Sequence, residues 1–265
     1  MTHWSGLPLW GAKEAREHTF KLPLPLGVSG IYYTEKQDFT MPELKLGGKG
    51  GLLDVGGLLK VSKVKTEQTA LNTCFDAWVF PFLKLYALAG YVNGHADITV
   101  RPAMLPIGPK LNIGLDYEGP TLGLGGTLAT GFKPFKNRPT IVFGLLDLNF
   151  TKTFLDFKQI VASLNTVDVM VFSMRFGVRE RIMQHPSIGD VNVSVWGGMM
   201  YEGVQRIMTG RLGIFDLDFR AKIEAVNPWN TIIGSRLELG EHCDLMFELG
   251  IGERQSAMLG VAYRF

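Results

Sequence analysis

Chemistry in this chain would have to start from few residues. The histidines are His3, His18, His95, His185 and His242. His95 stands in "YVNGHADITV" (91–100), two residues after Asn93 and two before Asp97. On an extended chain alternate residues share a face, so Asn93, His95 and Asp97 line up there. A carboxylate beside an imidazole can orient it as a general base. His95 and Asp97 are therefore the weak candidates for an enzyme, set against the plainer reading of a polar rim. His242 lies in a turn beside Glu241 and Asp244, and His185 in the loop "MQHPSIGD" (183–190). Asp216 and Asp218 could act as acid and base or hold a cation. With Arg220 and Lys222 so close, they read better as salt-bridge partners. There is no HExxH, no GxSxG and no Walker A, and "GGKGG" (47–51) lacks the phosphate-loop spacing. Cys74 and Cys243 form no CxxC pair, and a disulfide between them is left open. No catalytic residue, metal site or cofactor is assigned, and the chain reads as a non-enzyme.

Composition narrows the class. The 265 residues carry 27 basic and 25 acidic side chains, a net charge of +2. A nucleic-acid binder would show a basic excess on a patch or stripe, so that partner is excluded. The 32 glycines fall largely inside apolar stretches. In helices each would cost about 1 kcal/mol relative to alanine, whereas in a sheet glycines mark bends and close approaches. The first residues have no apolar h-region of roughly 7–15 residues, so an exported chain would be a trimmed form. The longest uncharged run, 119–132, is shorter than the roughly 20 residues of a membrane helix.

From about Phe20 to the end the texture is one of alternation. In 213–226, "GIFDLDFRAKIEAV", apolar and charged residues alternate with period two. The stretches 231–239, 244–252 and 255–265 do the same. Their links "NPWN", "GEHC" and "GER" are short, which predicts antiparallel hairpins. A three-residue loop at 241–243 would set Arg236 opposite Glu248. Earlier strands are predicted near 22–34, 57–67, 69–79, 83–100, 111–118, 120–132, 138–151, 168–182 and 190–203. These make thirteen with the last four, and a barrel with both termini on one side requires an even number, so about twelve are expected. The strand near 140–151 is apolar on both faces. The segment 153–168 is ambiguous.

A soluble barrel turns its apolar face inward; a membrane barrel turns it to lipid. Three features favour lipid. The polar face carries both signs of charge in mid-strand. The apolar face of the last four strands is free of charge, as expected where a Lys or Arg at mid-bilayer costs roughly 2–4 kcal/mol. Strands of about 9–11 residues match a tilted crossing. Closure follows, because an open edge leaves backbone groups unpaired in lipid.

The chain ends "QSAMLGVAYRF", with Phe265 last, Tyr263 two before it and Gly260 three before that. This ending resembles the C-terminal assembly signal of Gram-negative outer-membrane β-barrel proteins; Met258 stands where that signal usually has a polar residue. The resemblance implies a single closed antiparallel up-and-down transmembrane β-barrel over 21–265, inserted in the bacterial outer membrane by the barrel-assembly machinery. Lipid and lipopolysaccharide would surround it, with the two aromatics at the periplasmic interface. Residues 1–20 would form a periplasmic segment or a plug.

On this reading the lumen carries Arg175, Arg179, Asp216, Asp218, Arg220, Lys222, Glu224, Arg236, Glu238 and Glu248, with Asp244 and Arg264 also on that face. Six charges of each sign predict cross-strand pairs rather than a selective pore. The expected function is a narrow channel or passive transporter for small solutes. The alternatives are a lipid-modifying enzyme, a hydrophobic-substrate transporter, and a structural or adhesive barrel.

Overall fold

The computed structural model describes residues 7–9, 23–48, 51–54, 59–102, 110–135, 137–158, 165–212 and 217–265. Twelve strands run in order: β1 (Leu26–Gly48), β2 (Gly51–Asp54), β3 (Leu59–Phe80), β4 (Leu83–Pro102), β5 (Leu111–Phe132), β6 (Ile141–Phe157), β7 (Asn165–His185), β8 (Gly189–Leu212), β9 (Leu217–Ala225), β10 (Trp229–Leu239), β11 (Cys243–Ile251) and β12 (Gln255–Arg264). All pairings are antiparallel. The ring closes where β12 pairs β1, from Gly27 opposite Arg264 to Lys36 opposite Gln255. Backbone bonds from Leu26 N to the Phe265 carbonyl (3.2 Å) and from Phe265 N to the Leu26 carbonyl (3.0 Å) extend that closure to the last residue.

The ring has two circumferences. Both β9 and β10 run down from the far rim toward the terminal rim, one after the other along β8. Next to the termini the order is β1, β3 to β8, β10, β11 and β12, ten strands around. Above the β11–β12 turn, β9 pairs directly with β1, from Phe39 opposite Ala225 to Gly47 opposite Asp218. There the ring has eight strands, and β2 pairs the end of β1. The twelve strands thus make ten passes of the wall. "NPWN" is not the hairpin that its length predicts: the chain steps sideways at 226–228 and continues in the same direction.

The other differences have local causes. The predicted strands 57–67 and 69–79 are one strand, β3, as are 111–118 and 120–132, β5. Pro120 divides the second pair in the sequence because it lacks an N–H. It faces outward, where the β5–β6 ladder skips from Glu118↔Asp156 to Thr121↔Thr153. The ambiguous stretch 153–168 supplies the end of β6 and the start of β7. The β10–β11 loop has the predicted three residues but lies one residue earlier, at 240–242, so Arg236 faces Met246 and Gly234 faces Glu248. An offset of two keeps every side chain on its expected face. Seven of the twelve strands have 17–24 residues, beyond what a bilayer crossing needs.

That surplus length explains a reversal of chemistry. Along β1 the inward residues are Tyr33, Glu35, Gln37 and then Phe39, while the outward ones pass from Tyr32 to Lys36 and Asp38. The terminal half is polar inside and apolar outside. The far half is apolar inside and charged outside, as a barrel standing in water must be. Its core is a cluster of buried residues that includes Phe39, Val64, Leu115, Phe157, Val167 and Ile223.

Candidate functional site: the barrel interior

Bonds between strands that are not neighbours must cross the lumen, so they define its contents. Arg175 on β7 makes a two-pronged bond to Glu248 on β11, Nε to Oε2 at 2.7 Å and Nη2 to Oε1 at 2.9 Å. The indole Nε1 of Trp196 donates to the same carboxylate at 2.7 Å, and Arg175 Nη1 donates to Ser173 Oγ at 2.6 Å. Arg179 Nε donates to Glu238 Oε2 at 2.7 Å. Arg264 on β12 pairs with Asp76 on β3, and on the same inner face Arg236 pairs with Asp244 of its neighbour β11. Tyr86 and Thr127 donate to the two oxygens of Asp147, at 2.9 and 2.6 Å. Charges held this way satisfy one another inside the barrel. Lumen glycines give the rings room: a Cβ on Gly234 would run into Trp196, and one on Gly125 into Tyr86.

Of the charges predicted for the lumen, the structure places Arg175, Arg179, Arg236, Glu238 and Glu248 there, in this network. Asp218, Arg220, Lys222 and Glu224 are corrected: they face outward on β9. Lys222 and Glu224 pair in the open at 2.6 Å, while Ala221 and Ile223 point into the core. The cause is height. β9 lies wholly in the far half, where water rather than lipid surrounds the wall. Asp216 lies outside the described residues. So do residues 1–6 and 10–20 of the predicted plug; Leu9 N donates to the Val79 carbonyl at 2.8 Å on the terminal rim. Cys74 is a free buried thiol and Cys243 a free exposed one, which removes the disulfide.

The enzyme candidates sit on the outer wall of the far half. His95 Nδ1 is 2.6 Å from Asp116 and Nε2 is 3.3 Å from Asp97. The bond to Asp116 is the main cause that raises the His95 pKa above its ordinary value. Being raised, this pair adds its small stabilisation at acid pH and loses it as pH rises through the folded-state value. An NMR titration should show His95 releasing its proton above the ordinary histidine range, and Asp116→Asn should bring it back toward about 6.5. Among the described residues no group of three or more His, Cys, Asp or Glu could hold a metal.

A second network went unread in the sequence. Arg254, in the turn between β11 and β12, points inward and is 1% exposed. Its Nη1 lies 2.5 Å from Glu202 Oε2 on β8, and its Nε 3.8 Å from Glu35 Oε2 on β1. Tyr33 and Gln68 donate to Glu35, at 2.5 and 3.2 Å. The turn allows this because Gly252 takes φ +146°. The only hint in the sequence was a charged residue inside a three-residue link. Between the ion pairs and the apolar core lies a cavity of about 1110 Å³. Its inward residues are Leu88, Gly123, Thr151, Val169, Glu202 and Ala225.

The outer wall of the terminal half is a belt of exposed apolar side chains, among them Leu71, Phe75, Leu124, Phe150, Phe247 and Leu259. So large a patch on a closed barrel, with ion pairs inside, is a lipid-facing surface. Tyr32, Tyr91 and Trp229 mark its upper border; Tyr263 and Phe265, rings 6.5 Å apart, mark its lower one. Gly260 of the terminal signal faces inward, against Met246. A closed antiparallel ring, an apolar belt and a paired-charge lumen define the class: an integral outer-membrane β-barrel. No family description and no curated protein matches the chain. Among solved structures it is similar to the outer membrane protein OprG from Pseudomonas aeruginosa, with TM-score 0.42, 17% identity, and coverage of 92% of this chain and 97% of that one. The transport unit of the autotransporter AIDA-I from Escherichia coli gives 0.42, 9%, 91% and 90%. The toluene transporter TbuX from Ralstonia pickettii gives 0.32, 10%, 98% and 91%. None of these likenesses bears on what enters this lumen.

Proposed function

We propose that the barrel is a passive outer-membrane transporter for small solutes with an apolar body, closed to the free passage of ions. The observation that carries this is the change of the inner wall at mid-height, around a cavity of about 1110 Å³. Below it, paired charges cross the lumen and satisfy one another, which works against a free lane for an ion. Above it, the described inner wall is mostly apolar, with Phe39, Val64, Leu115, Phe157, Val167 and Ile223 in its core, which favours an apolar occupant. Residues 260–265 carry the strand that the assembly machinery would grip, and lipopolysaccharide would meet the charged outer wall of the far half. The test pairs two readings. Cells that produce the barrel should take up N-phenyl-1-naphthylamine several-fold faster than cells without it. In planar bilayers the protein should give no steady ohmic openings. Steady openings without faster dye uptake would make it a plain solute channel and overturn this reading.

A further inference from the structure

A groove of about 400 Å³ crosses the outer wall near the terminal rim, lined by Phe82, Leu128, Thr130, Gly144, Leu146 and Phe176. Its floor follows from the ladder. Thr130, Gly144 and Phe176 stand in one row across β5, β6 and β7. A Cβ on Gly144 would meet Phe176 at 3.4 Å and Thr130 at 3.6 Å, so the glycine is a missing side chain between two that remain. Phe82, Leu128, Leu146 and Phe176 are all exposed. Lipid surrounds this half, so the groove has no hydrophobic advantage over the rest of the belt. What it offers is shape: a chain lying in it gains contacts at its sides as well as beneath.

Below the groove comes the link from β5 to β6, and its charge is one-sided. From 119 to 146 the chain carries no acidic residue and three basic ones, Lys133, Lys136 and Arg138. Lys133 follows Thr130 by three residues, roughly 10 Å along an extended chain. Lys133 and Arg138 are exposed, and the Arg138 guanidinium lies 5.8 Å from the centre of the exposed Phe135 ring. Such a stack holds the cation at the interface. The other links at this rim differ. The β3–β4 link is uncharged, Arg181 on β7 meets Asp190 on β8 at 3.4 Å, and the β10–β11 link carries Glu241.

We infer that the groove and this link form one binding site for an anionic glycerophospholipid of the leaflet at the terminal rim. One acyl chain fills the groove over Gly144, and the head group meets Lys133 and Arg138, as basic clusters at a membrane surface meet anionic heads. A zwitterionic head would bring an ammonium to a link that has no carboxylate to receive it. Lipopolysaccharide belongs to the other leaflet, at the far half. The site lies outside the lumen, so it is independent of what the barrel transports.

Native mass spectrometry of the full barrel tests it, with release from detergent micelles that hold equal amounts of phosphatidylglycerol and phosphatidylethanolamine with the same chains. The barrel should keep one phosphatidylglycerol, at least fivefold over phosphatidylethanolamine, and the preference should shrink as ionic strength rises. Lys133→Gln with Arg138→Gln should cut the preference at least threefold. Gly144→Leu fills the groove and should cut retention of both lipids at least threefold, in a barrel whose heat-modified migration shows it folded; if it does not fold, Thr130→Leu carries that arm. Equal retention of the two lipids by the parent, a preference untouched by the link variant, or retention untouched by the groove variant overturns the inference. Displacement of the lipid by glycerol phosphate, which has no chains, would mean a phosphate site without the groove and also overturns it.

Discussion

Replacing Glu248 with leucine is expected to remove about 3–5 kcal/mol of barrel stability. Its carboxylate is 3% exposed and receives Arg175 on both oxygens and the Trp196 indole. Leucine leaves a guanidinium without a counter-charge in a lumen walled by lipid. The penalty is that of the abandoned cation, not the worth of the pair. Glu248→Gln, which still accepts a bond from Arg175 or Trp196, should lose less. The double variant Glu248→Leu, Arg175→Met should recover most of the loss, because both charges have gone. Urea unfolding in vesicles, followed by the shift of heat-modified migration, reads all three. Equal stability of the double variant and Glu248→Leu would mean that Arg175 finds another partner.

Leu124→Arg should cost about 2–4 kcal/mol in the same assay. Leu124 is 68% exposed, which in a protein surrounded by water would make it an indifferent position. In the belt its neighbours are acyl chains, and a guanidinium there must be desolvated or must drag water down. The control is Asn93→Arg, outward on β4 in the far half beside Glu118. There a charge meets water, and the change should stay within about 0.5 kcal/mol. The two substitutions place the same guanidinium on the same face of the sheet at different heights, so the gap between them reports chiefly on the membrane.

What the sequence made legible follows the same division by height. β10, β11 and β12 lie wholly in the terminal half, where one rule holds along the strand. Their phases set Arg236, Glu238, Asp244, Glu248 and Arg264 on one face, the face that the structure turns inward. β9 alternates just as cleanly, but period two carries no sign for inside, and its position above the belt reverses the assignment. The long strands blur because their faces exchange character partway. In β3 the inward run passes from Val64 to Gln68 and Asp76, and it reads as two strands broken at the exchange. A register shift between Thr40 and Glu43 does the same to β1 and hid its upper half. Glu35, Asp76, Asp147 and Glu202 went unread for this reason. Arg254 went unread for another: a turn of three residues looks like a solvated link, and only the closure of β9 onto β1 above it makes it the roof of the lumen.

The account depends on the outer wall meeting lipid in one half and water in the other. Spin labels placed one at a time at positions 124, 247 and 259, and at 67 and 97, in liposomes and with Cys74 and Cys243 replaced by serine, report this directly. The first three should be relaxed by oxygen and shielded from a water-soluble nickel chelate, and the last two should show the opposite. Equal access of the chelate to all five positions would contradict the account.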